Sequence, residues 1–483
     1  MVVDVVVDDG CCAFEFSSPY LSVHQSINPS TLNPFHEYSK HGCIHVVFTF
    51  LLCFLIPSSS LPSPLLAAAS ASQQTLQSKS SPPFIAGFVQ LVIEPASLNS
   101  TNTLNELEQL RFTMPAASTI GVSILLKQSN YSSDDIHSIS KTPTLKQLGD
   151  YVDLLHQLGF QVLLKPGVLP GDSILFSDIL PANLTQWFEN FQAMLLQYAQ
   201  FCTDHHVEFL AVGLEYANLT TNSQLTAHSI PLWLSLFKSL RTIYQGRLTY
   251  SALPTEFSHI PAPFWKGLDL IGLDAYLPLA TPQNPSFDPN QIIQLFDQYL
   301  AFIQHWQISN QLTSIPVFFS ELGYPSSQTS LFTPWMLPAA SVCQQLANQT
   351  LQAQIYQIII QIFVLHQVPA LEKYNDLIQG MLIFTWSLPG LDHEGEPQYP
   401  CGWNPRGKLA EQVFQQVWNQ TSDDSSTAGS NFHRSVILGA TFGAAGILLI
   451  CVFLWFSWKI RRSLIYSAKS QVDSQPAENY TRL

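Results

Sequence analysis

Two glutamates close short apolar runs that are typical of buried parallel strands. Glu215 ends the run VEFLAVGLE (Val207–Glu215), and Glu321 ends a second run within IPVFFSELGY (Ile315–Tyr324). They lie 106 positions apart, which is the length of three strand–helix units of about 35 residues each. A single glutamate here could simply cap a helix or pair with a lysine. Two in the same setting favour one shared site, on strands four and seven of a barrel.

Other residues at predicted strand ends suit carbohydrate chemistry. Strand three ends at Lys165, strand six in Asp274–Tyr276 and strand eight at Trp386. A glycosidase needs one carboxylic acid to protonate the leaving oxygen and one carboxylate to attack or to activate water. The apolar face of its sugar also needs an aromatic surface, which the tyrosine or the tryptophan could provide. Neither a GxSxG elbow nor a Ser-His-Asp ordering offers acyl transfer instead.

The elements that must position these residues alternate between about Pro83 and Trp418. The strand-like runs are Phe84–Ile93, Thr119–Leu126, Phe160–Lys165, Val207–Glu215, Arg247–Leu253, Leu268–Tyr276, Ile315–Glu321 and Gly380–Trp386. The helix-like runs are Thr144–Leu158, Leu184–His205, Pro231–Tyr244, Gln291–Gln307 and Gln349–His366. This pattern predicts an α/β fold, a (β/α)8 TIM barrel over residues 83–418. A doubly wound sheet is the alternative, but no GxGxxG or P-loop follows the first strand.

Composition excludes several classes of protein. The chain carries a formal charge of −14 and has no basic cluster outside its far C-terminus, which argues against nucleic acid as a partner. Its cysteines show no CxxC and no Cys/His spacing, so we expect no zinc site, and no cofactor is indicated. Cys202, Cys343 and Cys401 fall within the barrel region and allow one disulfide at most, between a pair that spacing leaves open.

Residues 1–72 are interpreted as a leader. The run Ile44–Ile56 is too short to span a bilayer comfortably and has the length of a signal peptide's hydrophobic segment. Small residues at Ala67–Ala71 offer a cleavage zone. Residues 1–43 are acidic, which is the wrong charge for the region before such a segment, so an uncleaved anchor is the alternative.

Ser435–Trp458 is predicted to be a single transmembrane helix, because its 24 residues carry no charge and can cross about 30 Å of hydrocarbon. Basic residues follow at once and place the tail, residues 459–483, in the cytosol. Together with a cleaved signal, this gives a type I membrane protein whose barrel is luminal or extracellular. Gly439 and Gly443 form a GxxxG, a candidate helix-dimer face in the lipid bilayer.

The flanking segments fit that topology. Residues 421–434 are polar and are interpreted as a flexible stalk. Tyr480–Leu483 fits both a YxxΦ signal for a clathrin adaptor and a C-terminal PDZ ligand, although it could equally be an idle tail. We expect an endolysosomal location rather than the plasma membrane. Six N-glycosylation sequons precede the span, at Asn99, Asn130, Asn183, Asn218, Asn348 and Asn419.

Several of these segments resemble the clan A glycoside hydrolases, most closely the β-mannanases of family 113. The resemblance covers about residues 84–418 and is best in strands six and seven. It rests on VLLKP in strand three, LDLIGLDAYLPL (Leu268–Leu279), FFSELGY in strand seven, a late Trp in strand eight, and the ending GWNPRGKLAEQVFQQVW (Gly402–Trp418).

The resemblance implies that Glu321 is the nucleophile and Glu215 the acid/base. It also implies that Tyr276 hydrogen-bonds the nucleophile and that Trp386 forms the floor of a sugar subsite. Lys165 matches a strand-three lysine that either contacts substrate or is a salt-bridged barrel residue. The two glutamate carboxyl groups should then lie about 5–5.5 Å apart, with Glu215 initially protonated.

One departure concerns Leu214, which stands where many clan A enzymes have an Asn that touches the sugar 2-hydroxyl; family 113 itself does without that Asn. Asp274 is expected to cap a turn, and Trp265 and Trp403 are loop aromatics that could line outer subsites.

Two function hypotheses follow. The first is a retaining glycoside hydrolase that acts on β-linked mannose- or glucose-type glycans by double displacement. The second is a non-catalytic carbohydrate-binding or adhesion membrane protein on the same barrel. The presence of both glutamates favours the enzyme.

Overall fold

The computed structural model describes residues 2–8, 11–17, 84–92, 94–173, 175–281, 286–388 and 400–419. They belong to two units, residues 1–78 and 79–483. In the first unit, strands Val2–Asp8 and Cys11–Ser17 pair antiparallel. The second unit contains every other described element.

Eight parallel strands form a closed barrel in the second unit. In chain order they are β1 (Ile85–Val92), β2 (Thr119–Gln128), β3 (Gln161–Pro170), β4 (Phe209–Leu214), β5 (Arg247–Ala252), β6 (Leu270–Asp274), β7 (Val317–Leu322) and β8 (Ile378–Phe384). Each strand pairs with the next, and β8 pairs with β1. That last pairing closes the ring, so the TIM barrel is confirmed and the open doubly wound sheet is wrong. A two-residue strand, His137–Ser138, adds to β2 in antiparallel orientation.

One helix follows each strand and packs around the barrel. The helices are α1 (Thr101–Thr113), α2 (Leu145–Gln157), α3 (Leu184–Asp204), α4 (Thr226–Arg241), α5 (Ala262–Trp265), α6 (Pro289–Ser309), α7 (Gln349–Phe363) and α8 (Leu409–Trp418). Two further helices, Ala217–Thr220 and Ala340–Leu346, lie in connections, as do the 3-10 turns Pro95–Ser97, Phe176–Asp178, Phe257–His259, Gln328–Leu331 and Pro369–Tyr374.

Local sequence explains where the long helices begin. A side-chain oxygen at the residue before the helix accepts a backbone N–H of the first turn, which would otherwise lack a partner. Thr144 and Gln147 form a reciprocal pair of this kind at α2. The other capping residues are Ser100, Asn183, Asp288 and Asn348.

Two apolar layers hold the barrel together. The inner layer fills the interior of the barrel, and the outer layer lies between the strands and the helices. Strand residues alternate between them, because successive side chains point to opposite faces: in β7, Phe318 belongs to the inner layer and Val317 and Phe319 to the outer. The inner layer contains Ile85, Val89, Leu163, Phe209, Ala211, Leu214, Leu270, Phe318 and Leu382.

The strands lie where the sequence predicts them, to within a few residues at each end. Helix α1 was not predicted, because its apolar pattern is weak and it buries only Thr103, Leu107 and Leu110. The signal-type segment 44–56, the stalk 421–434, the span 435–458 and the tail 459–483 lie outside the described residues. Among the residues that are described, no helix combines the length and hydropathy needed to cross a membrane.

A disulfide links two connections on the barrel. Cys343, in the segment before α7, is bonded to Cys401, in the segment after β8, with their Cα atoms 5.6 Å apart. Cys202 is the thiol left over, and it is buried in α3. The bond therefore fixes the segment around Cys401 to the neighbouring connection.

Replacing Cys343 and Cys401 together by Ser should lower the free energy of unfolding by about 2–4 kcal/mol, because an unlinked 58-residue loop gains freedom in the unfolded chain. Urea denaturation with and without reductant measures this. Reductant should bring the parent to the stability of the variant and leave the variant unchanged. A parent that is insensitive to reductant would contradict the bond.

Candidate active site

The end of β7 carries two adjacent residues that both face the barrel interior. Phe319 and Leu322 pack in the outer layer, and the register of β7 with its neighbours shifts between them. Two residues, rather than one, therefore lie between these outward positions, as in a β-bulge. They are Ser320, whose hydroxyl donates to Asp274 Oδ1 at 2.7 Å, and Glu321, whose side chain is 12% exposed. The bulge thus brings the carboxyl group of Glu321 to the barrel mouth.

Both carboxyl oxygens of Glu321 are held. Lys165 Nζ from β3 donates to Oε1 at 2.5 Å, and the Tyr276 hydroxyl donates to Oε2 at 2.6 Å. The predicted contact between Tyr276 and Glu321 is therefore present in the structure. A carboxyl group bound on both oxygens has a fixed orientation.

Lys165 is fully buried and lies between two carboxylates, with its Nζ 3.6 Å from Asp274 Oδ1. Burial alone would lower the pKa of Lys165, but the charges of Asp274 and Glu321 outweigh it and the pKa is raised. Contact between Lys165 and substrate stays a prediction. Its alternative, a salt-bridged barrel residue, is what the structure shows.

Asp274 lies within this charged cluster and does not act as the turn cap that its sequence position predicts. It accepts a hydrogen bond from Ser320 on β7 and pairs with Lys165 on β3. Burial raises the pKa of Asp274 to about 7, although the nearby Lys165 opposes that rise. In the described part of the chain, no cluster of three or more His, Cys, Asp or Glu side chains is arranged to hold a metal ion. The carboxylates of this cluster hold the lysine ammonium instead.

Glu215 stands at the end of β4 in a different environment. Its φ is +53°, and its amide donates to Ser251 O at 2.8 Å. Glu215 is partly exposed. The loss of water around its carboxyl group raises the pKa of Glu215 well above its usual range, and the charges of Asp274 and Glu321 raise it further, whereas the charge of Lys165 lowers it. The site therefore combines one carboxyl group held by a lysine and a tyrosine with a second whose pKa is raised.

Three partly exposed aromatic rings lie beside Glu321. Tyr276, Phe384 and Trp403 contact one another, with ring centroids 5.5–6.5 Å apart. They converge on Gly323, where an added Cβ would lie 2.8 Å from Phe384 O and 3.1 Å from Trp403 Cδ1. Only glycine fits there without displacing its neighbours. We call these three rings the aromatic wall.

Trp386 does not belong to the aromatic wall. It is 2% exposed and packs on Phe88 in the outer layer, at 4.7 Å between centroids, so it offers almost no surface to a sugar. Phe384, the last residue of β8, is the strand-end aromatic that reaches the site. Sequence reasoning missed it because residues 384 and 386 share one alternation phase, and strand pattern alone does not separate them.

The two loop tryptophans have different surroundings. Trp265 is fully buried, and its Nε1 donates to Phe257 O at 3.2 Å, so the expectation that it lines an outer subsite is wrong. Trp403 is partly exposed, and its Nε1 donates to Pro334 O at 2.6 Å. Its carbonyl accepts from Gln352 Nε2 at 2.9 Å, which fixes the backbone of the aromatic wall.

Comparison with known proteins places this arrangement in a family. Residues 93–419 match the model of Glycoside Hydrolase Family 113. A GH113 β-1,4-mannanase in a complex structure shares 20% identity and a TM-score of 0.56, over 70% of this chain and all of the other. The GH113 β-mannanase AaManA from Alicyclobacillus acidocaldarius, in complex with ManMIm, shares 19% identity and a TM-score of 0.56, over 70% of this chain and 97% of the other. These two likenesses show the fold. No curated protein matches the chain in sequence.

Lys165→Met should lower the free energy of unfolding by about 3–5 kcal/mol at pH 8, because two buried carboxylates lose the cation that contacts both. Lys146→Met is the matched control. Its side chain is 83% exposed and pairs with Asp150 at 2.7 Å, so that loss should stay below about 1 kcal/mol. Urea denaturation measures both variants.

The loss of unfolding free energy caused by Lys165→Met should become smaller as the pH falls from 8 towards 5. Asp274 has a pKa of about 7 when folded and near 3.8 when unfolded, so folding favours its protonated form as the solution is acidified. Without Lys165, protonation of Asp274 removes one uncompensated buried charge. A deficit that does not change with pH, or that equals the control's, would count against the buried ion pair.

Proposed function

The chain belongs to glycoside hydrolase family 113, and from that premise we propose that it hydrolyses β-linked mannose- or glucose-type glycans with retention of configuration. The observation that carries the proposal is the contrast between the two carboxyl groups at the barrel mouth. Glu321 is bound by Lys165 and Tyr276, whereas Glu215 has a raised pKa. Double displacement needs one carboxylate to attack and one acid to protonate the leaving oxygen, and the contacts of Glu321 and the raised pKa of Glu215 support these two roles.

In the first step, a carboxylate oxygen of Glu321 bonds to the anomeric carbon as the glycosidic C–O bond breaks, and Glu215 gives its proton to the leaving oxygen. In the second step, Glu215 takes a proton from water while the water oxygen displaces Glu321 from the anomeric carbon. Glu321 is uncharged while it forms the ester. Lys165 remains compensated during that time, because Asp274 stays 3.6 Å away.

Substrate would be held by the aromatic wall. Phe384 and Trp403 are partly exposed and contact each other, and partly exposed aromatic residues can provide a stacking surface for a sugar ring. The two solved structures described above are β-mannanases, so β-mannans are the first candidate substrates. The second candidate function, a carbohydrate-binding or adhesion protein without turnover, is disfavoured because both glutamates are present and have different surroundings.

The proposal extends to location. A cleaved leader, a membrane span at 435–458 and the sequons would make this a membrane-anchored enzyme with a luminal or extracellular barrel. The six sequon asparagines are all at least partly exposed, as attachment of a glycan requires. An endolysosomal compartment remains the favoured destination.

Activity on mannans and aryl β-glycosides, with the product anomer followed by NMR, tests the proposal. Glu321→Gln should lower turnover by several powers of ten and leave the fold intact, because the amide keeps the shape but cannot attack. Circular dichroism controls for folding. Turnover above about one hundredth of the parent rate would rule out Glu321 as the nucleophile.

Glu215→Ala should spare substrates whose leaving groups need no proton and slow the others by about a hundredfold or more. Azide should rescue the variant, because it can attack the glycosyl-enzyme without a general base, and the product should be a β-glycosyl azide. An equal loss on every leaving group, without rescue, would contradict the acid/base assignment.

A further inference from the structure

Besides Asp274, a second fully buried carboxyl group lies near Glu215 and takes no part in the pair. Glu256 is in the connection after β5 and is 2% exposed. Its Oε1 accepts from the hydroxyl groups of Tyr250 and Thr220, each at 2.6 Å, and its Oε2 accepts from Leu253 N at 3.1 Å. An ionised carboxyl group only accepts hydrogen bonds, so this set of donors suits the charged form.

Tyr250 joins Glu256 to the turn that carries Glu215. The Tyr250 hydroxyl donates to Glu256 and at the same time accepts from Tyr216 N at 2.7 Å. The amide directly after Glu215 is therefore fixed to Glu256 through one intervening oxygen. Thr220 closes the short helix Ala217–Thr220 and provides a second tie to the same turn.

The turn needs such ties because Glu215 has a φ of +53°. This left-handed conformation costs a non-glycine residue about 1–2 kcal/mol, and it persists only where neighbouring contacts stabilise it. Without the tie to Tyr216, the turn could relax and move the Glu215 carboxyl group. Displacements on the order of 1 Å at a catalytic group can lower rates about a hundredfold.

We propose that Glu256 is a positioning residue for Glu215, which it holds in place through Tyr250 and supports with its negative charge. The inference rests on the proposed role of Glu215 as acid/base. It assigns a function to a residue that lies outside the reacting pair.

The charge of Glu256 acts in the direction that the acid needs. The pKa of Glu215 is raised by burial, then by the charges of Asp274, Glu321 and Glu256, while Lys165 opposes the rise. Tyr276 also faces this group. Burial raises the pKa of Glu256 to about 7 against its hydrogen bonds, so Glu256 becomes charged near neutral pH and then helps Glu215 to keep its proton.

The test compares Glu256→Gln with the parent protein on aryl β-glycosides of graded leaving-group acidity. For poor leaving groups kcat/KM should fall about tenfold, and for activated ones less than about twofold, because only the former need the acid. The basic limb of the pH profile should move to lower pH by on the order of half a unit, since one negative charge beside Glu215 is lost.

A second measurement does not depend on catalysis. The carboxyl ¹³C signal of Glu215, assigned by its loss in Glu215→Gln, should titrate at lower pH in Glu256→Gln than in the parent. Tyr250→Phe breaks the tie to Tyr216 and removes a donor to Glu256, so it should move both readouts in the same direction. If Glu256→Gln does not fold, Tyr250→Phe decides.

Glu106→Gln is the control, because the carboxyl group of Glu106 pairs with Arg406 and not with the turn that carries Glu215. It should leave leaving-group dependence and the Glu215 titration unchanged. Equal losses on all leaving groups, with an unmoved Glu215 signal, would overturn the role of Glu256 alone. A parent that cleaves no glycoside but shows the shifted signal would overturn the proposed function and leave the coupling between Glu256 and Glu215 standing.

Discussion

One buried cation determines how the rest of the site is built. Taking an ammonium group out of water costs several kcal/mol, and an opposite charge at about 4 Å returns on the order of 4 kcal/mol. One carboxylate would barely balance Lys165, and the structure supplies two, from β6 and β7. Because the lysine comes from β3, this balance exists only when the barrel has closed and brought the three strands to one mouth.

That constraint also separates the two glutamates chemically. Glu321 accepts hydrogen bonds from the Lys165 ammonium group and the Tyr276 hydroxyl, so its carboxyl group is bound in one orientation. The pKa of Glu215 is raised by burial and by the negative charges of Asp274 and Glu321. Two carboxyl groups of one residue type thus have different surroundings, a cation and a hydroxyl group on Glu321 and a raised pKa at Glu215.

The barrel fold and the two strand-end glutamates could be predicted from the sequence because both depend on local sequence pattern. Apolar runs that end in a carboxylate mark Val207–Glu215 and Ile315–Glu321 as barrel strands. The buried ion pair between Asp274 and Lys165 could not be predicted, since these residues meet only in the closed barrel. Trp386 was misassigned because the choice between it and Phe384 depends on where β8 ends, and pattern locates strand ends poorly.

Leu214, which differs from the Asn of many clan A enzymes, is packed inside the barrel. It stands directly before Glu215, where an amide would offer a polar contact, and its side chain is instead packed in the inner layer of the barrel. An apolar neighbour cannot hydrogen-bond the ionised form of a carboxyl group, and it excludes water that could. Leu214 therefore brings an apolar side chain to the strand end that carries Glu215, whose pKa is raised first by burial.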